Sequence, residues 1–121
     1  MDYDALCAYL AQKPGARREM PFGPDELVFK VLHKMFALLA WQEDPLTITL
    51  KADPVDALIL RKQYSAVKPG YHMNKTHWIT VTLDGSLPDG ELQRMIDESY
   101  ELVVEGMTRA DRAKLHIEGK Q

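Results

Sequence analysis

Apolar positions along the chain alternate between helical and strand spacing. Tyr3, Leu6, Cys7 and Leu10 recur at i, i+3, i+4 and i+7, which predicts a short helix over residues 3–12. Asp2 can cap its free N–H groups, and Pro14-Gly15 ends it. Residues 16–20 read as a short basic strand stopped by Pro21, and Pro21-Phe22-Gly23-Pro24-Asp25 as a turn-rich connection. Leu27 to Leu32 and Met35 to Trp41 are rich in β-branched, aromatic and other apolar residues, and His33-Lys34 fits between them as a two-residue hairpin loop. Both runs are apolar on nearly both faces, which predicts central strands covered on one side by helices. Leu46, Ile48 and Leu50 then alternate with Thr47, Thr49 and Lys51, the pattern of a strand with one wet face.

Asp53-Pro54 is a helix start, a cap residue followed by proline at the first helical position. Val55, Leu58, Ile59 and Lys62 mark one face of this second helix, which runs to about Tyr64. Lys68-Pro69-Gly70 interrupts the next segment, and Trp78 to Leu83 is a strand stopped by Asp84-Gly85. After Pro88-Asp89, the positions Leu92, Met95, Ile96, Ser99, Leu102, Val103 and Met107 form one long helical stripe, with Gly106 as the C-cap. Thr108 to Asp111 resembles a capping box opening a short terminal helix, and residues 118–121 are expected to fray. Hairpin-length connections require an antiparallel sheet with the helices on one face. The expected fold class is α+β: one domain over residues 1–121, a two-layer sandwich in the order helix, three or four strands, helix, one or two strands, helix.

Composition adds exclusions. The chain is 45% hydrophobic and 27% charged, an ordinary globular mix. Cys7 is the only cysteine, so neither an internal disulfide nor a Cys-rich zinc site can form. No run approaches the ~18 apolar residues of a membrane span, and the acidic start Met1-Asp2-Tyr3-Asp4 does not read as a secretory signal. A cytoplasmic location and no membrane partner are therefore expected. A net charge of -3 means that the chain as a whole is not built to coat nucleic acid.

That net value conceals a segregation. No acidic residue lies between Asp56 and Asp84, where Arg61, Lys62, Lys68 and Lys75 alternate with His72, His77, Tyr64, Tyr71 and Trp78. From Asp84 onward nine acids face five bases. Cations displace counterions from phosphates and rings stack on bases, so basic residues interleaved with aromatics suit a nucleic-acid surface. A solvated loop with its rings in the core has the same composition.

Catalytic signals are weak. Cys7 falls on the apolar stripe of its helix, where a thiol is a small hydrophobe. His72 and His77 lack a third ligand nearby in sequence, so no metal site is expected. No serine sits in a nucleophile elbow, and no Walker or Gly-x-Gly-x-x-Gly loop occurs. The expectation is a protein without cofactor or catalysis. Lys68 to Trp78 stands apart: Asn74 can lock the turn and Trp78 can pin it to the core, and the loop can be a rigid platform presenting Lys68, His72, Lys75 and His77 to a ligand.

Tyr71-His-Met-Asn-Lys-Thr-His-Trp-Ile-Thr-Val81 resembles the hallmark of the MmcQ/YjbR family of small bacterial proteins. Pro21-Phe-Gly-Pro-Asp25, Val28-Phe-Lys-Val31, Lys34-Met-Phe-Ala-Leu38, Leu83-Asp-Gly-Ser-Leu-Pro-Asp89 and Ser99-Tyr100 extend the likeness to about Val104. Leu32-His33 departs from it, since the family tends to have glycine before the lysine. The resemblance implies a fold related to frataxin-like (CyaY-like) and secretion-chaperone-like domains, and a DNA-binding role attributed to a double-wing arrangement of hairpins. Frataxin-like iron binding uses an acidic first helix, and here only Asp2 and Asp4 lie near its start. The expected DNA surface, made of phosphate contacts, comprises Arg61, Lys62, Lys68, Lys75 and His77, extended by Arg17, Arg18, Lys30 and Lys34 on the hairpins. The alternative is a module binding a protein partner or a small anionic ligand, at the sheet face or at the loop of Tyr71, His72, Asn74 and Trp78.

Overall fold

A computed structural model describes residues 1–70 and 73–118. Tyr71 and His72, two of the four loop residues named above, lie outside the described residues, as do residues 119–121 of the expected fray. The elements are α1 (Tyr3–Ala11), β1 (Ala16–Glu19), β2 (Leu27–Val31), β3 (Lys34–Ala40), β4 (Thr47–Lys51), α2 (Pro54–Gln63), β5 (Val67–Pro69), β6 (Trp78–Thr82), α3 (Asp89–Glu105) and α4 (Arg109–Glu118). The strands form one antiparallel sheet in the order β1-β2-β3-β4-β6-β5. This is the α+β sandwich that the pattern predicts.

Helix ends follow their caps. The Asp2 carboxylate accepts the Ala5 N–H at 2.8 Å, and Asp53 accepts those of Val55 and Asp56 at 3.1 and 3.2 Å. The Thr108 hydroxyl accepts the Asp111 N–H at 3.1 Å. Gly106 caps α3 in right-handed geometry (φ −77°), so its role there needs no left-handed backbone.

The strand register assigns the faces. Leu27, Leu39, Ile48, Val81 and Val67 stand in one cross-strand row, and Phe29, Ala37, Leu50 and Ile79 in the next. All are buried against Leu6 and Leu10 of α1, Leu92, Met95, Ile96 and Val103 of α3, and Leu115 of α4. Each such large side chain contributes about 1.5–3 kcal/mol by leaving water. An extra residue in β3 shifts the β2–β3 register between Phe29 and Lys30. Phe36 thereby joins Ala37 on the covered side, fully buried, with Tyr100 edge-on at 5.3 Å.

Three local expectations need correction. The β2–β3 loop is Leu32-His33, not His33-Lys34, because Lys34 already pairs with Val31. Leu32 alone takes a left-handed φ (54°), the conformation of the first loop residue in a type II′ turn, where glycine is preferred. Pro69-Gly70 is not a turn: Pro69 lies in the edge strand β5, where a missing N–H is tolerated, and Gly70 donates to the Trp78 carbonyl at 2.8 Å. Third, α2 buries Ala57 and Leu60, while Val55, Leu58 and Ile59 point outward.

Candidate functional site

With every described helix on one side, the second face of the sheet is left free of helices, although Val28 and Thr49 on it are buried, and alternation fixes what it carries. One row across it reads Glu19, Val28, Leu38, Thr49, Thr80, Lys68; a neighbouring row reads Ala40, Thr47, Thr82. The Thr49 and Thr80 hydroxyls meet at 2.9 Å. The third row joins Arg17, Lys30 and Met35 and continues past the Phe36 bulge to Lys51 and Trp78. From Arg17 to Trp78 it crosses five strands, about 19 Å at ~4.8 Å per strand.

Charge is polarised along the strands. The third row carries Arg17, Lys30 and Lys51, with Lys68 one row away at the β5 edge. The opposite end is acidic. There a concavity of about 760 Å³ has Leu38, Ala40, Thr47, Thr49 and Thr80 as its floor, Asp25, Glu26 and Glu43 on one side and Lys68 on the other. Trp41 Nε1 and Gln42 Nε2 both donate to the Pro24 carbonyl, at 3.1 and 3.3 Å, tying the β1–β2 connection to the end of β3.

Glu19 lies 3.4 Å from the Lys30 ammonium and 3.9 Å from the Arg17 guanidinium. The Arg17 and Glu19 side chains are 61% and 39% exposed, so these pairs contribute at most about 1 kcal/mol and can be exchanged for a phosphate at little cost.

The sequence-predicted residues divide into groups. Arg17, Lys30 and Lys68 share the open face. Arg18 stands in register with Phe29, on the helix side, where its charge acts on the Tyr3 hydroxyl. Lys34 is in register with the buried Val31 and so belongs to that side as well. Arg61 and Lys75 line a separate groove beside α2, and Lys62 is exposed on that helix. Lys75 Nζ also donates to the Gly70 carbonyl at 3.4 Å. His77 is exposed just before β6, its carbonyl accepting the Ala52 N–H at 2.9 Å. Asn74 locks the loop as expected: its side-chain oxygen accepts the Thr76 N–H at 2.9 Å, and its carbonyl accepts that of His77 at 3.2 Å. The nine cationic positions do not form one patch.

Lys51 is the residue that sequence reasoning missed. It was legible as the wet end of the Thr47-Thr49-Lys51 alternation, but its place beside Arg17 and Lys30 comes only from the register. Among the described residues no group of three or more His, Cys, Asp or Glu is placed to hold a metal ion. Cys7 is buried beside Leu6 and Leu10. No described helix is long and apolar enough to cross a membrane.

Fold and site together define a small α+β domain with one helix-covered and one open, charge-polarised sheet face. The chain belongs to the YjbR family, whose model matches residues 11–102. It is 38% identical to the uncharacterized protein YjbR of Escherichia coli (strain K12) over 104 residues, 86% of this chain and 88% of that one. With the uncharacterized protein YbdF of Escherichia coli O157:H7 it shares 39% identity over 95 residues, 78% of each. Among solved structures, it superposes on Deinococcus radiodurans protein DR2400 with a TM-score of 0.89 at 40% identity, covering 95% of this chain and 88% of that one. A protein from Pseudomonas syringae superposes with a TM-score of 0.73 at 33% identity, over 84% of this chain and 98% of its own.

Proposed function

We propose that this chain is a non-enzymatic, cytoplasmic DNA-binding protein that holds the phosphate backbone against the cationic end of its open sheet face. One observation carries the reading: the strand register pairs Arg17 with Lys30 and Lys51 with Trp78 on the open face, the two pairs on either side of the β3 bulge, with Lys68 a row away. Cations on a sheet surface suit a phosphate backbone, since their charge displaces its counterions. No helix enters a groove in this arrangement, so affinity comes from phosphates and sequence preference is low. The acids Asp25, Glu26 and Glu43 confine the bound strand to the other end of the face. A reducing cytoplasm suits a chain whose one cysteine is free. Lys51→Glu and Arg17→Glu each reverse an exposed or half-exposed charge and should weaken binding to a labelled duplex about tenfold or more. Unchanged affinity in both variants would remove this face from the account.

A second reading, a ligand-binding module without catalysis, is favoured by the concavity of about 760 Å³. Its volume falls in the range of small-molecule sites. Three carboxylates facing Lys68 suit a ligand of mixed charge, such as a short peptide, better than a small anion. Shifts of the Thr47, Thr49 and Thr80 amide resonances on titration with a peptide mixture support it, and silence there removes it.

A further inference from the structure

Two cations of the acid-free stretch between Asp56 and Asp84 come together away from the sheet face. Arg61 and Lys75 line one groove of about 340 Å³, with Pro54, Ala57, Leu58 and Thr76 as its other walls. Positions 54, 57, 58 and 61 recur at i, i+3, i+4 and i+7, so they make one face of α2, about 10 Å long. The loop before β6 forms the facing wall. It is held in shape by the Asn74 side chain, which accepts the Thr76 N–H at 2.9 Å, and Lys75 Nζ reaches the Gly70 carbonyl at 3.4 Å.

The charge of this groove is unbalanced. Among the described residues, neither Arg61 nor Lys75 takes part in an ion pair. The acids nearest in sequence are engaged elsewhere: Asp53 caps the Val55 and Asp56 N–H groups, and the Asp56 carboxyl faces Glu98 on α3. Pro54, Ala57 and Leu58 make the rest of the helix wall apolar.

We infer that this groove is a binding site, separate from the open sheet face, for a small phosphate monoester with an apolar body. A phosphate monoester carries about −1.5 to −2 charge at pH 7, which matches two cations, whereas a carboxylate would leave one unmatched. The Arg61 guanidinium is a fork that can donate to two phosphate oxygens, Lys75 supplies a point charge, and Thr76 can add a hydroxyl donor. The apolar wall of α2 then covers the body of the ester. The volume lies at the small end of ligand pockets, with room for one phosphate and a compact organic group rather than a nucleic-acid strand.

Phenyl phosphate, titrated into the full chain and followed by amide NMR, tests the inference. The Ala57, Leu58, Arg61, Lys75 and Thr76 resonances should move together and saturate, with a Kd of about 1 mM or below. Inorganic phosphate should bind about tenfold or more weakly, since it offers nothing to the apolar wall. Arg61→Gln and Lys75→Gln should each weaken phenyl phosphate about tenfold or more, with unchanged circular dichroism, because neither side chain belongs to the core. Shifts that do not saturate overturn the inference, as does inorganic phosphate binding as tightly as the ester. So does undiminished affinity in the two glutamine variants, or a DNA duplex that moves these amides where phenyl phosphate does not. Lys51→Glu and Arg17→Glu report on the sheet face alone, so the two assignments fail separately.

Discussion

The Ser99 hydroxyl on α3 donates to the Phe36 carbonyl at 2.6 Å and accepts the Lys51 N–H at 2.9 Å. It stands where the β3 bulge leaves the ladder to β4 incomplete: Ala37 pairs with Leu50, and Phe36 and Lys51 meet through a helix side chain instead. This fully buried serine fixes the backbone of Lys51, the central cation of the proposed phosphate row.

Ser99→Ala leaves a buried carbonyl and a buried N–H without that partner. The expected loss is about 1–3 kcal/mol of stability, measured by urea denaturation at constant m-value. DNA affinity should fall with it, because Lys51 is no longer held in line. A variant as stable as the wild type would show that strand pairing alone satisfies these groups.

Gly70 has a packing reason to be glycine. A Cβ there would lie 2.6 Å from the Trp78 Cβ and 2.9 Å from its carbonyl oxygen. Gly70→Ala must push β5 away from β6, at an expected cost of about 1–3 kcal/mol, with a changed tryptophan emission reporting the displaced indole. Unaltered stability and emission would mean that the β5 edge gives freely.

Glu98 on α3 has its pKa raised above the ordinary carboxylate value, first by burial and then by its hydrogen bond to and repulsion from Asp56. Arg94, 3.3 Å away, opposes the shift. The folded state thus binds the Glu98 proton more tightly than the unfolded chain does. The resulting stabilisation is complete below the unfolded pKa of about 4.3 and is lost as pH rises through the higher folded value. Glu98→Gln should flatten this part of the stability–pH curve above the ordinary glutamate pKa of about 4.3. An identical slope in wild type and variant would assign the dependence to other groups.

Tyr9 is pushed up to about 12 by burial and by its 2.6 Å hydrogen bond to Asp97, which also accepts from Lys13. The folded state therefore holds the phenolic proton beyond the ordinary tyrosine range, and this contribution to stability is lost only as pH rises through about 12. Tyr3 and Tyr100 are also raised above the ordinary tyrosine value by burial, so in an ultraviolet titration several tyrosines should ionise late, and Asp97→Asn should bring only the Tyr9 step earlier. A tyrosine set titrating uniformly near 10 would contradict the pairing.

The element order, both acidic helix caps and the Asn74 loop lock were legible because each rests on local chemistry. The failures have local causes too. α2 has two apolar stripes in ten residues, and spacing does not say which one faces the sheet. Its anchored ends decide, with Ala52 buried before the helix and Ala66 and Val67 after it. The β2–β3 loop lacks an Asn-Gly signal, so it was displaced by one residue. The cationic surface read as a stretch of sequence, residues 57–83, separates in space because Lys68 lies on the open face while Arg61 and Lys75 lie beside α2. Arg17, Lys30 and Lys51 come from three strands far apart in sequence and meet only through register.

The central claim, a phosphate-binding row on the open sheet face, is tested most directly by fluorescence anisotropy with a labelled random duplex at about 50 and about 200 mM salt. Four contacts, from Arg17, Lys30, Lys51 and Lys68, predict a log–log slope near −3.6 and roughly a 100-fold weakening across that range. Absence of binding at the lower salt, or an affinity indifferent to salt, would contradict it.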